Sequence, residues 1–155
     1  MTRLSFDIVN SKQFFSKLLE DSKDYQIDKT SSRLAINCAM TAWHLSDWIY
    51  FEEEYDKIYK LVDFQERLKK LCPALQIMHD ICTGSKHFHL TKHQSKVEES
   101  KLHSGEFSSD FSRDFDISVL ILEMKDGTKS YFEDDLETVI DFWNKVFAKG
   151  LETML

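Results

Sequence analysis

The sequence predicts a mainly α-helical fold in one domain: a four-helix bundle-like core, then a β-hairpin and a final helix. Glycine and proline are scarce, with four and one in 155 residues, which leaves few tight turns. Apolar residues recur at helical spacing through the first half of the chain. Near the end, a β-branched run meets an Asp-Gly turn. We expect the helical core at about 10–84, a long polar loop at 85–115, and the hairpin with its helix at 116–150.

The composition is that of an ordinary globular protein, with 42% hydrophobic and 30% charged residues. A net charge of −7 works against unspecific binding to nucleic acid but leaves room for a local basic site. The three cysteines form no CxxC pair, and each sits in an apolar helical pattern, where a reduced thiol behaves as a small hydrophobe. No stretch is apolar for long enough to be a leader or a membrane span. These features predict a cytoplasmic protein without membrane association.

The first two helices follow from caps and from the spacing of apolar residues. The stretch NSKQFFSKLLEDSKDY begins with Asn10 or Ser11 as the N-cap and continues with apolar pairs at helical spacing. The longest helical run, at 29–58, is entered through the Thr-Ser-Ser at 30–32. It carries two apolar seams, Leu34, Cys38, Thr41, Leu45 and Trp48 in one, and Ile36, Met40, Trp43 and Tyr50 in the other. A helix that is apolar on more than one side packs against several neighbours or a second subunit.

Two shorter helices complete the predicted core. The stretch DKIYKLVDFQERLKKL has apolar residues at helical spacing, namely Ile58, Leu61, Leu68 and Leu71. Pro73 suits the first turn of the next helix, PALQIMHDICTG, and Gly84 supplies its C-terminal stop. Beyond Gly84 the chain is rich in Ser, Lys and His, and SKVEESKLH is a candidate for a short strand.

The C-terminal part of the sequence indicates a hairpin and a helix. The stretch DISVLILEMKDGTKSYF has two strand-like runs around an Asp126-Gly127 turn. The final helix, DDLETVIDFWNKVFAKG, takes Asp134 or Asp135 as its N-cap and ends at Gly150. Its inward-facing residues are Val139, Phe142, Trp143 and Val146.

A polar strip crosses the long second helix. Asn37 and His44 lie two turns apart on nearly the same line, with Trp48 beyond them, and Asp47 is three residues from His44. Burying such groups without partners costs a few kcal/mol. The strip is therefore either a hydrogen-bonded network that fixes helix packing or the lining of a functional site.

The second group of candidate residues stands at the end of the fourth helix. Lys86 and His87 follow Gly84, where the chain turns, and a Lys-His pair there can hold an anion and move a proton near neutral pH. Asp80 lies about two turns before them. The alternative is a basic last turn favoured by the helix dipole. Because short links favour antiparallel neighbours, we expect His44 and Asp47 to approach Asp80 and His87 around one small polar cavity.

Histidines in the polar loop raise the question of a metal site. His87 and His89 could share one side of a strand, or His89 and His93 one face of a helix. The sequence has no HExxH motif and no paired CxxC to support zinc. A tight site also needs oriented ligands with supporting partners. We expect no bound metal and no cofactor.

Two stretches together resemble a known group of proteins. NCAMTAWHLSDW, followed by HDICTGSKHF, is similar to small all-helical phage and bacterial proteins distantly related to the HEPN superfamily. The resemblance covers about residues 30–90. It implies a helical bundle used in toxin–antitoxin and phage-defence systems, and it points to Ser85 and His79 as further binding residues. Active members are metal-independent, usually dimeric ribonucleases with an arginine shortly before a histidine; here His79 stands in the arginine's place, eight residues before His87.

These observations support three interpretations of function. The favoured one is a cytoplasmic binding or regulatory protein of a mobile-element, phage or defence locus that recognises a protein or RNA. The second is a metal-independent ribonuclease that uses His87 and Lys86, helped by His44 or His79. The third is a metal-binding protein centred on the histidines of the polar loop.

A homodimer is predicted from two uncovered surfaces. The strand ISVLILEM is apolar on both faces, with Ile117, Val119 and Ile121 on one and Leu120, Leu122 and Met124 on the other. A two-stranded sheet does not cover both faces by itself. The two apolar seams of the second helix add to this need for a partner.

Overall fold

The fold is mainly helical, with a small antiparallel sheet, as the sequence predicts. The computed structural model describes residues 4–89, 93–103 and 118–155. Its helices are α1 (Ser11–Ile27), α2 (Ser32–Glu52), α3 (Leu61–Leu71), α4 (Ala74–Lys86) and α5 (Phe132–Lys149). Its strands are β1 (Val97–His103), β2 (Val119–Met124) and β3 (Lys129–Tyr131), and short 3₁₀ helices span Tyr55–Lys57 and Leu151–Thr153.

Helix α2 is the centre of the core. It contacts α1, α3, α4 and α5, as expected for a helix with apolar residues on several sides. The buried indole of Trp143 on α5 donates a hydrogen bond to the carbonyl of Ala42 on α2, at 3.1 Å. Helix α5 is therefore part of the helical core rather than an appendage to a four-helix bundle.

Local signals set several helix ends as predicted. The Asn10 side chain accepts a hydrogen bond from the Gln13 N–H at 2.8 Å and caps α1. Ser31 caps α2 through the Leu34 N–H, at 3.3 Å. Gly150 ends α5 with a φ of 80°, a conformation that glycine adopts without steric cost.

Three predicted boundaries are wrong. Helix α4 does not stop at Gly84 but continues to Lys86, because a glycine costs a helix only about 1 kcal/mol when its φ stays negative. Helix α3 begins at Leu61, so Ile58 lies outside it and is exposed. Helix α5 begins at Phe132, which places Asp134 and Asp135 in its first turn rather than at its N-cap.

The sheet has the strand order β1-β2-β3, with both pairs antiparallel. The hairpin around Asp126-Gly127 is confirmed, and Gly127 has a φ of 85°. Strand β1 lies within the candidate strand SKVEESKLH, inside the stretch predicted as a loop at 85–115, and pairs with β2, Ser100 facing Leu122. The parts of that loop at 90–92 and 104–115, and the start of the hairpin at 116–117, are outside the described residues.

The surfaces that led to the predicted homodimer are largely covered within one chain. Ile121 and Leu122, on opposite faces of β2, are both 2% exposed. Four helices surround α2, although Met40 remains exposed. The faces of β2 and the sides of α2 therefore do not need a second chain to cover them. The homodimer stays a prediction. In the described part of the chain, no helix is both long and apolar enough to cross a membrane.

Candidate functional site

The polar strip predicted on α2 is divided among several neighbours. Asn37 is exposed and donates a hydrogen bond to Asp21 on α1, at 2.8 Å. Asp47 accepts one from Gln65 on α3, also at 2.8 Å. The Trp48 ring stacks on Phe14 of α1, with centroids 4.9 Å apart. These three residues have partners on neighbouring helices. They therefore fit the first interpretation of the strip, a set of contacts that fixes helix packing.

His44 instead faces α4, where its Nε2 lies 3.4 Å from the Sγ of Cys82. Burial raises the pKa of the Cys82 thiol; the Lys86 charge acts to lower it, and Asp47 acts to raise it further. His44 is the predicted candidate that the seam between α2 and α4 places in contact with Cys82. The raised pKa keeps the thiol protonated, so it is not an activated nucleophile.

The sequence did not predict Cys82 as a residue of the site, because its place in an apolar helical pattern indicated only a small hydrophobic side chain. A signal was present in the spacing: His79, Cys82 and Lys86 are three and four residues apart and so share one face of α4. What the sequence alone does not contain is that His44 packs against that face.

Asp80 is the most completely bonded side chain of the site. It is buried, and its Oδ1 accepts hydrogen bonds from Gln76 at 2.7 Å and from the Nε2 of His93 at 2.6 Å. Its Oδ2 accepts from the backbone N–H groups of Lys96 and Val97, at 2.8 and 3.1 Å. Burial by itself would raise the pKa of Asp80, but these hydrogen bonds outweigh it and hold the pKa below its usual value. The carboxylate anchors the start of β1 to α4.

His79 lies beside this anchor and is held neutral. Its ring stacks on Trp43 of α2 at 4.1 Å between centroids, and its Nδ1 is buried without a hydrogen-bond partner among the described residues. The His93 ring is tilted against it with the two centroids 4.3 Å apart, and the Lys69 ammonium lies over Trp43. Burial, helped by the charges of Lys69 and His93, lowers the pKa of His79 to about 4. A stacked, neutral imidazole here packs α4 on α2.

The end of α4 projects into solvent. We call Ser85–His89 the basic tip; all five of its residues are exposed, and Phe88 is 97% exposed. The His87 N–H donates to the Thr83 carbonyl at 3.0 Å, which holds the start of the tip against the helix. The Phe88 and His89 rings are nearly perpendicular, with their centroids 4.7 Å apart. The tip is thus an aromatic and basic group at the end of a packed helix.

The four residues expected around one polar cavity are engaged separately: Asp47 accepts a hydrogen bond from Gln65 on α3, and the other three have different surroundings. His44 contacts Cys82, while Asp80 is bonded to Gln76, His93 and the backbone at the start of β1. His87, whose side chain was expected inside the cavity, is exposed. Asp80 takes its partners from Gln76 on its own helix and from residues that follow α4, rather than from α2.

The predicted metal ligands are not arranged as one set. His87 and His89 are exposed in the basic tip, whereas the Nε2 of His93 is engaged by Asp80. Within the described residues, no group of three His, Cys, Asp or Glu side chains is placed to hold a metal ion.

Comparison with known proteins adds no relative. Nothing matches this chain among protein-family models, curated protein sequences or solved structures.

Proposed function

We propose that this protein is a non-catalytic binding protein that recognises single-stranded RNA through its basic tip. The observation that carries the proposal is Phe88, an aromatic side chain that is 97% exposed between two histidines at the end of a packed helix. An exposed aromatic ring is the platform on which unpaired bases stack, and neighbouring cations contact the phosphates.

The charge pattern around the tip supports an anionic ligand. From Ile81 to Val97 the chain has no acidic residue, although its net charge is −7. The same stretch has three lysines and three histidines, Lys86, Lys92, Lys96, His87, His89 and His93. This segregation leaves the basic tip without an acidic neighbour along the chain after Asp80, which favours contact with phosphates there.

The neighbouring ionisable groups support binding rather than catalysis. The Asp80 carboxylate is occupied by four hydrogen bonds, the pKa of the Cys82 thiol is raised, and that of His79 is lowered to about 4. A general base or nucleophile needs a free lone pair and a pKa near the working pH.

Fluorescence anisotropy with a labelled single-stranded RNA tests the proposal. We expect binding that weakens as the salt concentration rises. Phe88→Ala should weaken it about tenfold, since one base stack is worth about 1–3 kcal/mol. Phe6→Ala is the matched control, because Phe6 is equally exposed but lies outside the tip. Absence of RNA binding, or equal affinity of the wild type and Phe88→Ala, would contradict the proposal.

The resemblance to HEPN-like proteins suggests a setting for this function. We propose a cytoplasmic role in a mobile-element, phage or defence locus. The genes flanking this one test the setting directly: recurrent toxin, antitoxin or phage genes would support it, and a constant metabolic neighbourhood would not.

A metal-independent ribonuclease is the second candidate. It is favoured by the contact of His44 with Cys82 on α4, the helix that is followed by the exposed His87. An imidazole can transfer a proton, and a lysine can hold a phosphate. Cleavage of RNA in the presence of a chelator, lost in His44→Ala and His87→Ala but kept in Phe6→Ala, would favour this candidate over simple binding.

A further inference from the structure

One end of the helical core is formed by the start of α1, the end of α2 and the start of α3. The backbone N–H of Ser11 donates to the Glu52 carboxylate at 2.7 Å, which joins α1 to the end of α2. The Tyr50 hydroxyl donates to the carbonyl of Tyr59 at 2.6 Å, which draws in the segment that leads to α3. These hydrogen bonds hold the end in one defined arrangement.

Large apolar side chains remain exposed at this end. They come from all three segments, and we call them the apolar end: Val9, Phe51, Ile58 and Val62, of which the last three are 59–70% exposed. Full burial of one such side chain stabilises a protein by about 1.5–3 kcal/mol. Side chains of this kind left in water on neighbouring segments are available for a partner to cover.

Acidic side chains surround the apolar end. Glu52, Glu53 and Glu54 are exposed, and Glu54 is paired with Lys57 at 2.6 Å. Glu152, after the end of α5, is also exposed; burial raises the pKa of Tyr55, and the charges of Glu152 and Glu53 act in the same direction. Asp56 adds to the acidic rim, and Lys57, Lys60 and Lys12 offset it only in part.

We propose that the apolar end is a docking surface for a basic amphipathic helix of a partner protein. The apolar face of such a helix would cover Phe51, Ile58 and Val62, while its lysines and arginines would meet the acidic rim. A second copy of this chain would place acidic rim against acidic rim, which is repulsive. The apolar end and the basic tip share no residue. The docking proposal therefore stands if the RNA-binding proposal fails, and the reverse also holds.

Binding of a synthetic helical peptide tests this surface. The probe is a fluorescein-labelled amphipathic peptide of leucine and lysine, and the matched probe has glutamate in place of lysine. We expect the leucine-lysine peptide to bind and the leucine-glutamate peptide not to bind. The double change Phe51→Ala with Ile58→Ala should weaken binding at least tenfold, and Glu53→Lys with Glu152→Lys should weaken it and flatten its dependence on salt.

Matched variants separate docking at this end from general attraction to an acidic protein. Ile27→Ala removes one exposed apolar side chain at the far end of α1, and Glu20→Lys makes one of the two charge reversals on the middle of that helix instead. Both should bind the peptide as the wild type does. Because every changed side chain is exposed, helical circular dichroism should be unaltered in all variants.

Four results would overturn the proposal. They are equal binding of both peptides, equal losses in the control variants, self-association that disappears in the Phe51→Ala, Ile58→Ala variant, and binding of neutral phosphatidylcholine vesicles that disappears in the same variant. The third would make the end a contact between copies, and the fourth a membrane-binding surface.

Discussion

Asp80 and His93 are joined by a 2.6 Å hydrogen bond that connects α4 to the chain thirteen residues later. With the N–H groups of Lys96 and Val97 on its second oxygen, the carboxylate holds the start of β1 against the helix. One buried charge therefore ties the edge strand β1 to α4, and the basic tip lies between Asp80 and His93 in sequence.

Replacing this carboxylate should be costly. Asp80→Asn keeps the shape but removes the charge, and its NH₂ group would face hydrogen-bond donors. We expect the free energy of unfolding to fall by about 2–4 kcal/mol in urea titrations. Asp56→Asn, on the exposed 3₁₀ helix, is the control and should change it by less than about 0.5 kcal/mol. A small effect of Asp80→Asn would mean that other contacts hold β1 in place.

The lowered pKa of His79 predicts a loss of stability in mild acid. In the unfolded chain His79 titrates near 6.5, and in the folded protein its pKa is about 4. The unfolded state therefore binds the proton more readily, so the stabilisation is complete above pH 6.5 and is lost progressively as the pH falls towards 4. Allowing for solvent screening, we expect a loss of about 1–2 kcal/mol between pH 7 and pH 4.5.

His79→Phe isolates this effect. Phenylalanine retains a ring to stack on Trp43 but cannot take up a proton, so the unfolding free energy should vary less between pH 7 and pH 4.5 than in the wild type. Asp80, whose folded pKa is lowered, contributes stability that is lost only below its unfolded value of about 4, outside most of this range. Parallel pH profiles for wild type and variant would show that His79 is not the group responsible.

The cysteines should be unreactive in the folded protein. All three are buried, and burial raises their pKa values, that of Cys38 to about 12. Thiolates are the reactive species, so Ellman's reagent at pH 7 should label the native protein slowly and label all three thiols in guanidinium. Rapid labelling of one native thiol, abolished by Cys82→Ser, would instead identify Cys82 as activated by His44.

Two glycines should respond to alanine in opposite directions. Gly84 lies inside α4, with no atom within 4 Å of the position of an added Cβ, so Gly84→Ala should stabilise the protein by about 0.5–1 kcal/mol. Gly127 has a φ of 85° in the hairpin turn, where alanine is strained, and Gly127→Ala should destabilise it by about 1 kcal/mol. Thermal unfolding of the two variants compares them, and a destabilising Gly84→Ala would show that glycine is needed there.

The sequence by itself determined what depends on near neighbours. Helical periodicity predicted the five helices, Asn10 and Ser31 cap the first two as expected, and the Asp126-Gly127 turn forms its hairpin. These features rest on side chains within a few residues of one another, so a local pattern is enough to predict them.

Only the tertiary structure decided what rests on distant contacts. Strand β1 is exposed along most of its length and lacks the alternation that marks a half-buried strand, so its pairing with β2 was not evident from its own residues. The contact of His44 with Cys82 joins residues 38 apart in sequence. The hydrogen bond of His93 to Asp80 joins residues 13 apart, on either side of the basic tip in the chain. Which polar group meets which is set by how the helices pack and where the chain returns, because a buried polar group takes whichever partner that packing places within reach.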